Sequence, residues 1–125
     1  MKSIIVSMVA VAGLMITGST LAVDMPESAK KLGCVGCHAI DKKVVGPSWM
    51  DISKKYKGTT KYKYSKTGSA AADAKEYPLE EGLIIKVSQG GSGNWGTMPM
   101  TANDTSGKKQ TEIKELVKFA LGLAK

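Results

Sequence analysis

Cys34-Val35-Gly36-Cys37-His38 is the most informative segment of this 125-residue chain. It is a C-x-x-C-H motif, the pattern through which a c-type haem is attached. Two thiols at this spacing can add across the two vinyl groups of a porphyrin, and the histidine after the second thiol is then brought under the iron. His38 is the only histidine in the chain, so no other imidazole competes for the iron. The motif therefore favours a covalently bound haem.

The same five residues leave other kinds of site open. A thiol-disulfide oxidoreductase uses C-x-x-C within a βαβ arrangement, and no stretch here alternates for long enough to predict a strand. Structural zinc needs four Cys or His ligands, and the chain has two cysteines and one histidine. A disulfide within the motif would close a very small loop and stabilise the fold only modestly. A five-coordinate, ligand-binding haem protein is a further alternative.

Residues 1–22 have the pattern of a secretory signal peptide. Lys2 is followed by an apolar run, Ile4–Ile16, and then by small and polar residues that end at Ala22. This run is shorter than the ~20 residues that a membrane-spanning helix needs. We expect cleavage after Ala22 and export to the bacterial periplasm. Residues 23–125 then form one domain.

The chain is basic, and all of its positive side chains are lysines. Its net charge of +7 falls to +6 when the signal peptide is removed, because Lys2 leaves with it. A small basic protein outside the cytoplasm is steered toward acidic surfaces of partners or toward anionic lipid. Nucleic acid is disfavoured as a partner, since an exported protein seldom meets it.

The periodicity of apolar residues predicts an all-α domain with four helices. The first spans Asp24–Leu32 with Asp24 as its cap, and the second spans Ser48–Tyr56, where Ser48 and Asp51 resemble a capping box. The third begins near Pro78 and ends at Gly90. The last has apolar residues at the i, i+3, i+4, i+7 spacing: Ile113, Leu116, Val117, Ala120, Leu121 and Ala124.

Residues 57–77 lack this periodicity and are predicted to form an exposed insertion. The insertion overlaps a basic stretch, Lys54–Lys66, which holds six lysines and three tyrosines and no acidic residue. Such a stretch is typical of a solvated loop. A docking surface for an acidic partner or a membrane is the functional alternative.

A second motif, Trp95-Gly96-Thr97-Met98-Pro99-Met100, follows the third helix. Taken with Gly33–His38 and Gly46-Pro47, it resembles the small bacterial class I cytochromes c. The likeness is to the short periplasmic members that feed electrons to nitrite reductases and terminal oxidases. It covers the mature chain except Lys57–Tyr77.

The resemblance implies a class I cytochrome c fold, with the N- and C-terminal helices packed together around one covalently attached haem c. It implies a monomeric electron carrier that shuttles single electrons between respiratory redox partners. These partners would include a membrane-associated oxidase or reductase, and the basic charge of the chain predicts that their docking surfaces are acidic. Because histidine and methionine would fill both axial positions of the iron, no enzymatic activity at the metal is expected.

Carried over position by position, the resemblance assigns Cys34 and Cys37 to the two thioether bonds. It assigns His38 and Met100 to the iron. In this family the axial methionine directly follows the proline of a Trp-Gly-x-x-Pro-Met run, which selects Met100 over Met98.

Four further residues match positions around the haem. The Pro47 carbonyl would accept from the imidazole N–H, and the Asn103 amide would approach the ligand sulfur. Trp95 and Lys86 would face a haem propionate. Lys86 stands where relatives often have arginine, and a lysine cannot make the bidentate contact of an arginine.

The sequence differs from the family pattern directly after Met100 and matches that pattern in the terminal helices. Thr101-Ala102 stands where relatives have two prolines, so we expect a softer loop. Gly33 would lie in the first helix and permit close approach of the last helix, where Phe119 would be a packing aromatic.

Overall fold

The described part of the chain, residues 23–124 of a computed structural model, contains helices and one small sheet. The predicted signal peptide, residues 1–22, lies outside the described residues. The elements are, in chain order, α1 Glu27–Lys31, a 3₁₀ turn Cys34–Gly36, α2 Trp49–Tyr56, β1 Lys61–Tyr64, β2 Lys75–Pro78, α3 Leu79–Gln89 and α4 Gln110–Leu121.

Local signals explain where most helices begin and end. The Ser48 hydroxyl accepts from the Asp51 N–H at 3.0 Å, so the predicted cap of α2 is present. Helix α3 ends at Gly90, whose φ of +72° takes the backbone out of the helix. The prediction of Asp24 as a cap was wrong. Helix α1 begins after Pro26, whose φ of −58° suits a helix start.

The terminal helices pack together, which confirms the predicted class I fold. Ala29 of α1 is fully buried against Leu116 and Ala120 of α4. Trp49 of α2 completes this cluster and meets the Phe119 ring edge-on at 5.7 Å between centroids. A methyl-sized side chain at residue 29 lets α1 and α4 approach closely.

The expected role of Gly33 was wrong. Gly33 lies beyond the end of α1, with a φ of +73°, and a Cβ there would meet no atom within 4 Å. The close contact between the terminal helices is made by Ala29 instead. Gly33 serves the backbone, because its left-handed conformation turns the chain into the C-x-x-C-H motif.

The insertion contains a β-hairpin, so the prediction of a strand-free chain was wrong, although most of residues 57–77 are exposed. Strands β1 and β2 pair antiparallel, with Tyr62 opposite Tyr77; residues 61–78 are called the hairpin below. Tyr62 is only 4% exposed and packs in a second core cluster with Leu83 and Ile113. Gly82 makes room for it, since a Cβ there would lie 2.7 Å from the Tyr62 ring.

Asp104 fixes the start of α4. Its carboxylate accepts from the backbone N–H groups of Lys108 and Lys109 at 3.0 and 2.9 Å. It also accepts from the Gln110 amide at 2.8 Å and from the Ser106 hydroxyl at 3.2 Å. These bonds, that of Gln110 foremost, hold the pKa of Asp104 below its usual value.

This low pKa predicts how stability depends on pH. The bonds of Asp104 stabilise the fold above the unfolded pKa of about 3.9, and this stability is lost as pH falls through the lower, folded pKa. Asp104→Asn should lower the thermal midpoint of the holoprotein near neutral pH, and the gap from wild type should narrow on acidification. Asp41→Asn, at an exposed aspartate, is the control. A gap that stays constant through the acid range would contradict the assignment.

Candidate haem site

A cavity of about 280 Å³ lies between the two clusters of the core. Trp49, Leu116 and Ala120 of one cluster line it, as do Tyr62, Leu83 and Val117 of the other. Its lining includes all but one of the residues predicted from the sequence to bind the cofactor: Cys34, Cys37, His38, Pro47, Lys86, Trp95 and Met100. Asn103 lies outside the lining.

The 3₁₀ turn holds the C-x-x-C-H motif in shape. The Cys34 carbonyl accepts from the N–H groups of Cys37 and His38, at 3.1 and 2.9 Å. Cys34 and Cys37 form no disulfide. Burial raises the pKa of Cys34, whereas a reactive cysteine in a thiol-disulfide enzyme needs a lowered pKa. Cys34 therefore lacks the lowered pKa of such a cysteine.

The His38 imidazole is buried and held in one orientation. Its Nδ1 lies 2.7 Å from the Pro47 carbonyl oxygen. A carbonyl only accepts, so Nδ1 carries a proton, and in the neutral form of the ring Nε2 is left with a lone pair that can bind a metal. Gly46 lies directly against the ring, since a Cβ there would lie 2.6 Å from His38 Cε1.

Gly46→Ala is expected to displace the imidazole. Overpacking of this kind costs about 1–3 kcal/mol, and we expect a lower thermal midpoint and a lower yield of haem-loaded protein. Gly36→Ala is the control from the same region, because a Cβ at Gly36 meets no atom within 4 Å. Wild-type behaviour of Gly46→Ala in both measurements would contradict the contact.

The distal segment, residues 90–100, closes another side of the cavity. Gly91 and Met100 form a two-way bridge, each N–H donating to the other's carbonyl at 2.9 Å. Met100 is half-buried, whereas Met98 is 64% exposed. Both methionines line the cavity, and they differ in how much of each side chain is exposed to solvent.

Lys86 and Asn103 bind backbone carbonyls. The Lys86 ammonium donates to the Gly91 carbonyl at 2.6 Å, and burial lowers the pKa of Lys86. The Asn103 amide donates to the carbonyls of Val87 and Thr101, at 3.1 and 3.0 Å. Lys86 thus ties the distal segment to α3. Asn103 ties the residues that follow Met100 to α3 and to one another. Their contacts with a propionate and with the ligand sulfur stay predictions.

The donor set fits a covalently attached haem. The cavity presents two thiols, an imidazole with a free Nε2 and a half-buried thioether, and most of its other lining is apolar. A thioether and an imidazole are the axial ligands of His/Met cytochromes. The cavity is also lined by Lys86, Tyr56 and Tyr62. Their ammonium and hydroxyl groups are of the kind that bind carboxylates such as the haem propionates.

Comparison with known proteins identifies the family. The chain is 37% identical over 95 residues to a cytochrome c-551 of Allochromatium vinosum, covering 76% of this chain and 81% of the relative. It is 31% identical over 122 residues to a cytochrome c-552 of Hydrogenobacter thermophilus, covering 98% and 97%. No protein-family model matches the chain.

Solved structures give the same result. The crystal structure of Nitrosomonas europaea cytochrome c552 superposes with a TM-score of 0.54 at 31% identity, covering 77% of this chain and 95% of that one. The class 1 cytochrome MtoD of Sideroxydans lithotrophicus gives 0.53 at 27%, covering 78% and 89%. The chain belongs to the class I cytochromes c. This cytochrome carries one covalent haem c and is an electron carrier.

Several residues of the site were not predicted from the sequence. In this cytochrome the Lys55 ammonium lies 4.2 Å from the centre of the Trp95 ring and donates to the Asn94 carbonyl at 2.7 Å. Tyr56 and Tyr62 line the cavity, and burial raises the pKa of both. The available sequence signal for Tyr56 and Tyr62 was their position within the basic stretch, because an aromatic side chain in an otherwise polar segment is often buried.

Apolar side chains are exposed beside the cytochrome's cavity. Val45 and Met98 line it, and Val35 lies within the C-x-x-C-H motif. These three side chains are 45–64% exposed.

Within residues 23–124, no helix is both long enough and apolar enough to cross a membrane.

Proposed function

We propose that this cytochrome is a periplasmic, non-enzymatic carrier in which His38 and Met100 hold the haem iron. Single electrons would pass between respiratory partner proteins. The observation that carries the proposal is one cavity lined by both thiols, by an imidazole whose Nε2 is free, and by Met100. The signal-peptide pattern of residues 1–22 supports the periplasm.

Met100 is favoured over Met98 as the axial ligand by burial and by backbone restraint. Met100 is half-buried and bonded in both directions to Gly91, whereas most of Met98 is in solvent. A ligand that stays bound in both oxidation states needs a fixed backbone. Pro99 adds to this, because its ring fixes φ directly before Met100.

The ligand pair suits electron transfer rather than catalysis. The haem supplies one-electron redox chemistry when it is bound. The Pro47 carbonyl holds the Nδ1 proton of His38 and keeps the ring oriented. With Nε2 and the Met100 sulfur both committed to the iron, a substrate would find no open position, and little would rearrange on electron transfer.

The proposed site is completed by four further residues, Pro47, Lys86, Trp95 and Asn103. Trp95 is restrained by Lys55, which lies over its ring. Lys86 has three ammonium hydrogens and gives one to the Gly91 carbonyl, so two remain for a propionate. Asn103 spans from the loop to α3 and holds the chain that follows Met100.

A redox titration tests the proposed function against the thiol-enzyme alternative. For one-electron haem chemistry, the ratio of oxidised to reduced protein should change tenfold per about 59 mV. A dithiol couple transfers two electrons, and the ratio would change tenfold per about 30 mV. A tenfold change per about 30 mV, or no change in the visible spectrum during the titration, would contradict an electron carrier of this class.

We propose acidic surfaces on the redox partners, because the hairpin presents lysines to solvent. Lys61, Lys63 and Lys66 are all exposed, although Glu76 lies opposite Lys63 in the sheet. Electrostatic steering raises association rates above about 10⁵–10⁶ M⁻¹s⁻¹ and weakens as salt screens the charges.

Replacing Lys61, Lys63 and Lys66 by glutamine should slow oxidation of the reduced protein by respiratory membranes of its own organism. The effect should be several-fold at low salt and vanish at high salt, while spectrum and potential stay unchanged. A triple glutamine variant at Lys108, Lys109 and Lys114 controls for the same loss of charge elsewhere. If the hairpin variant matches wild type at every ionic strength, the hairpin has no docking role.

A further inference from the structure

The hairpin is bonded to the segment that carries the proposed axial ligand. The Tyr64 hydroxyl donates to the Gly90 carbonyl at 3.1 Å. The Ser92 N–H donates to the Lys66 carbonyl at 2.9 Å. Gly90 and Ser92 flank Gly91, so the hairpin binds the start of the distal segment on both sides of that residue.

The two backbones are in direct contact at this point. A Cβ on Gly91 would collide with the Lys66 carbonyl, and a Cβ on Gly93 would collide with the Thr67 carbonyl. Both glycines have positive φ, +109° and +87°. The distal segment can therefore lie against the hairpin only because residues 91 and 93 are glycines.

The contact continues to Met100 without interruption. Gly91 is the partner of Met100 in the two-way bridge, with both N–H···O distances at 2.9 Å. The Gly91 carbonyl also accepts from Lys86 at 2.6 Å. The position of the Met100 backbone thus depends on Gly91, and that of Gly91 on the hairpin and α3.

The distal segment needs such support because its own sequence is permissive. Four of the seven residues from Gly90 to Gly96 are glycine, the residue type with the greatest conformational freedom. Thr101-Ala102 after Met100 lacks the fixed φ of proline. Without an external restraint, the backbone on both sides of Met100 would adopt many conformations, and the methionine sulfur would change position with it.

The hairpin is itself rigid enough to provide that restraint. Ser65 is buried and donates to the Asp73 carboxylate at 2.7 Å across the connecting loop, and the Thr67 N–H donates back to Ser65. At the other end Tyr62 is fixed in the core. The hairpin is therefore held both by bonds within its connecting loop and by the burial of Tyr62 in β1.

We propose that the hairpin is a clamp that holds the distal segment and keeps Met100 at the iron, with Tyr64 as a positioning residue. This inference rests on the proposed ligation by Met100. It gives the insertion a role beyond docking, and the role is carried mainly by backbone groups. Replacing the exposed lysine side chains would leave the clamp intact.

Imidazole binding to the oxidised holoprotein tests the clamp. Imidazole binds the iron only when the methionine has left, so its apparent affinity reports how often Met100 dissociates. Tyr64→Phe should raise this affinity about fivefold, the factor that corresponds to about 1 kcal/mol for one hydrogen bond. Tyr77→Phe is the matched control, because it removes a hydroxyl from the same sheet without touching Gly90, and it should bind as wild type does.

A second variant and a ligand control complete the experiment. Gly68→Ala places a Cβ 2.9 Å from Gly93 Cα and should raise imidazole affinity at least as much as Tyr64→Phe. Wild-type affinity in both variants, in a protein whose sulfur-to-iron charge-transfer band is lost in Met100→Ala, overturns the clamp alone. A band that survives Met100→Ala overturns the proposed ligand, and the clamp with it.

Discussion

Met100→Ala is expected to remove the sulfur-to-iron charge-transfer band of the oxidised protein and to let carbon monoxide bind the reduced protein. The thioether is a soft ligand that favours Fe(II), so its loss should lower the reduction potential. We expect a change on the order of 0.1 V or more, within the ~0.8 V over which axial ligands set haem potentials. Absorption spectra and a redox titration of the purified variant measure both effects.

Met98→Ala is the matched control for this prediction. It removes the same side chain two positions earlier in the segment, at a site that is 64% exposed. The band, the potential and the resistance to carbon monoxide should all stay close to wild type. Loss of the band in Met98→Ala, with retention in Met100→Ala, would assign the iron to Met98 instead.

Cys34→Ala and Cys37→Ala are each expected to reduce the yield of folded holoprotein sharply. Each variant retains one thioether attachment at best, and the haem fills the space between the two clusters of the core. Without haem, the apolar side chains that line this space would face water. The fold would then lose the hydrophobic stabilisation that comes from burying them against the haem.

The apoprotein and a control variant test this explanation. Without haem, the chain should show no cooperative thermal transition by circular dichroism. Val35→Ala changes an exposed side chain between the cysteines and should give a wild-type yield of holoprotein. A stably folded apoprotein would show that the haem is not needed to complete the core.

The helices and the proximal side of the site were predictable because their signals are local. Ser48 and Asp51 marked the start of α2, and Gly90 marked the end of α3. The C-x-x-C-H spacing was enough to place two thiols and an imidazole on one cavity. In each case the residues that determine the geometry are within a few positions of one another.

The hairpin was missed because its determinants are distant in sequence. Lys61-Tyr62-Lys63-Tyr64 alternates over only four residues, the lower limit for predicting a strand. Burial of Tyr62 depends on the space left by Gly82, and the bonds of Tyr64 and Lys66 reach the distal segment. A linear pattern of charge and hydropathy contains none of these long-range contacts.

The axial ligation of the iron can be read from the visible absorption spectrum of the purified holoprotein, recorded oxidised and reduced, with and without carbon monoxide. Ligation by His38 and Met100 predicts a low-spin haem spectrum, a sulfur-to-iron charge-transfer band in the oxidised form, and no response to carbon monoxide. A high-spin spectrum that changes with carbon monoxide would contradict this ligation and indicate a five-coordinate, ligand-binding haem. Absence of a Soret band would contradict the haem itself.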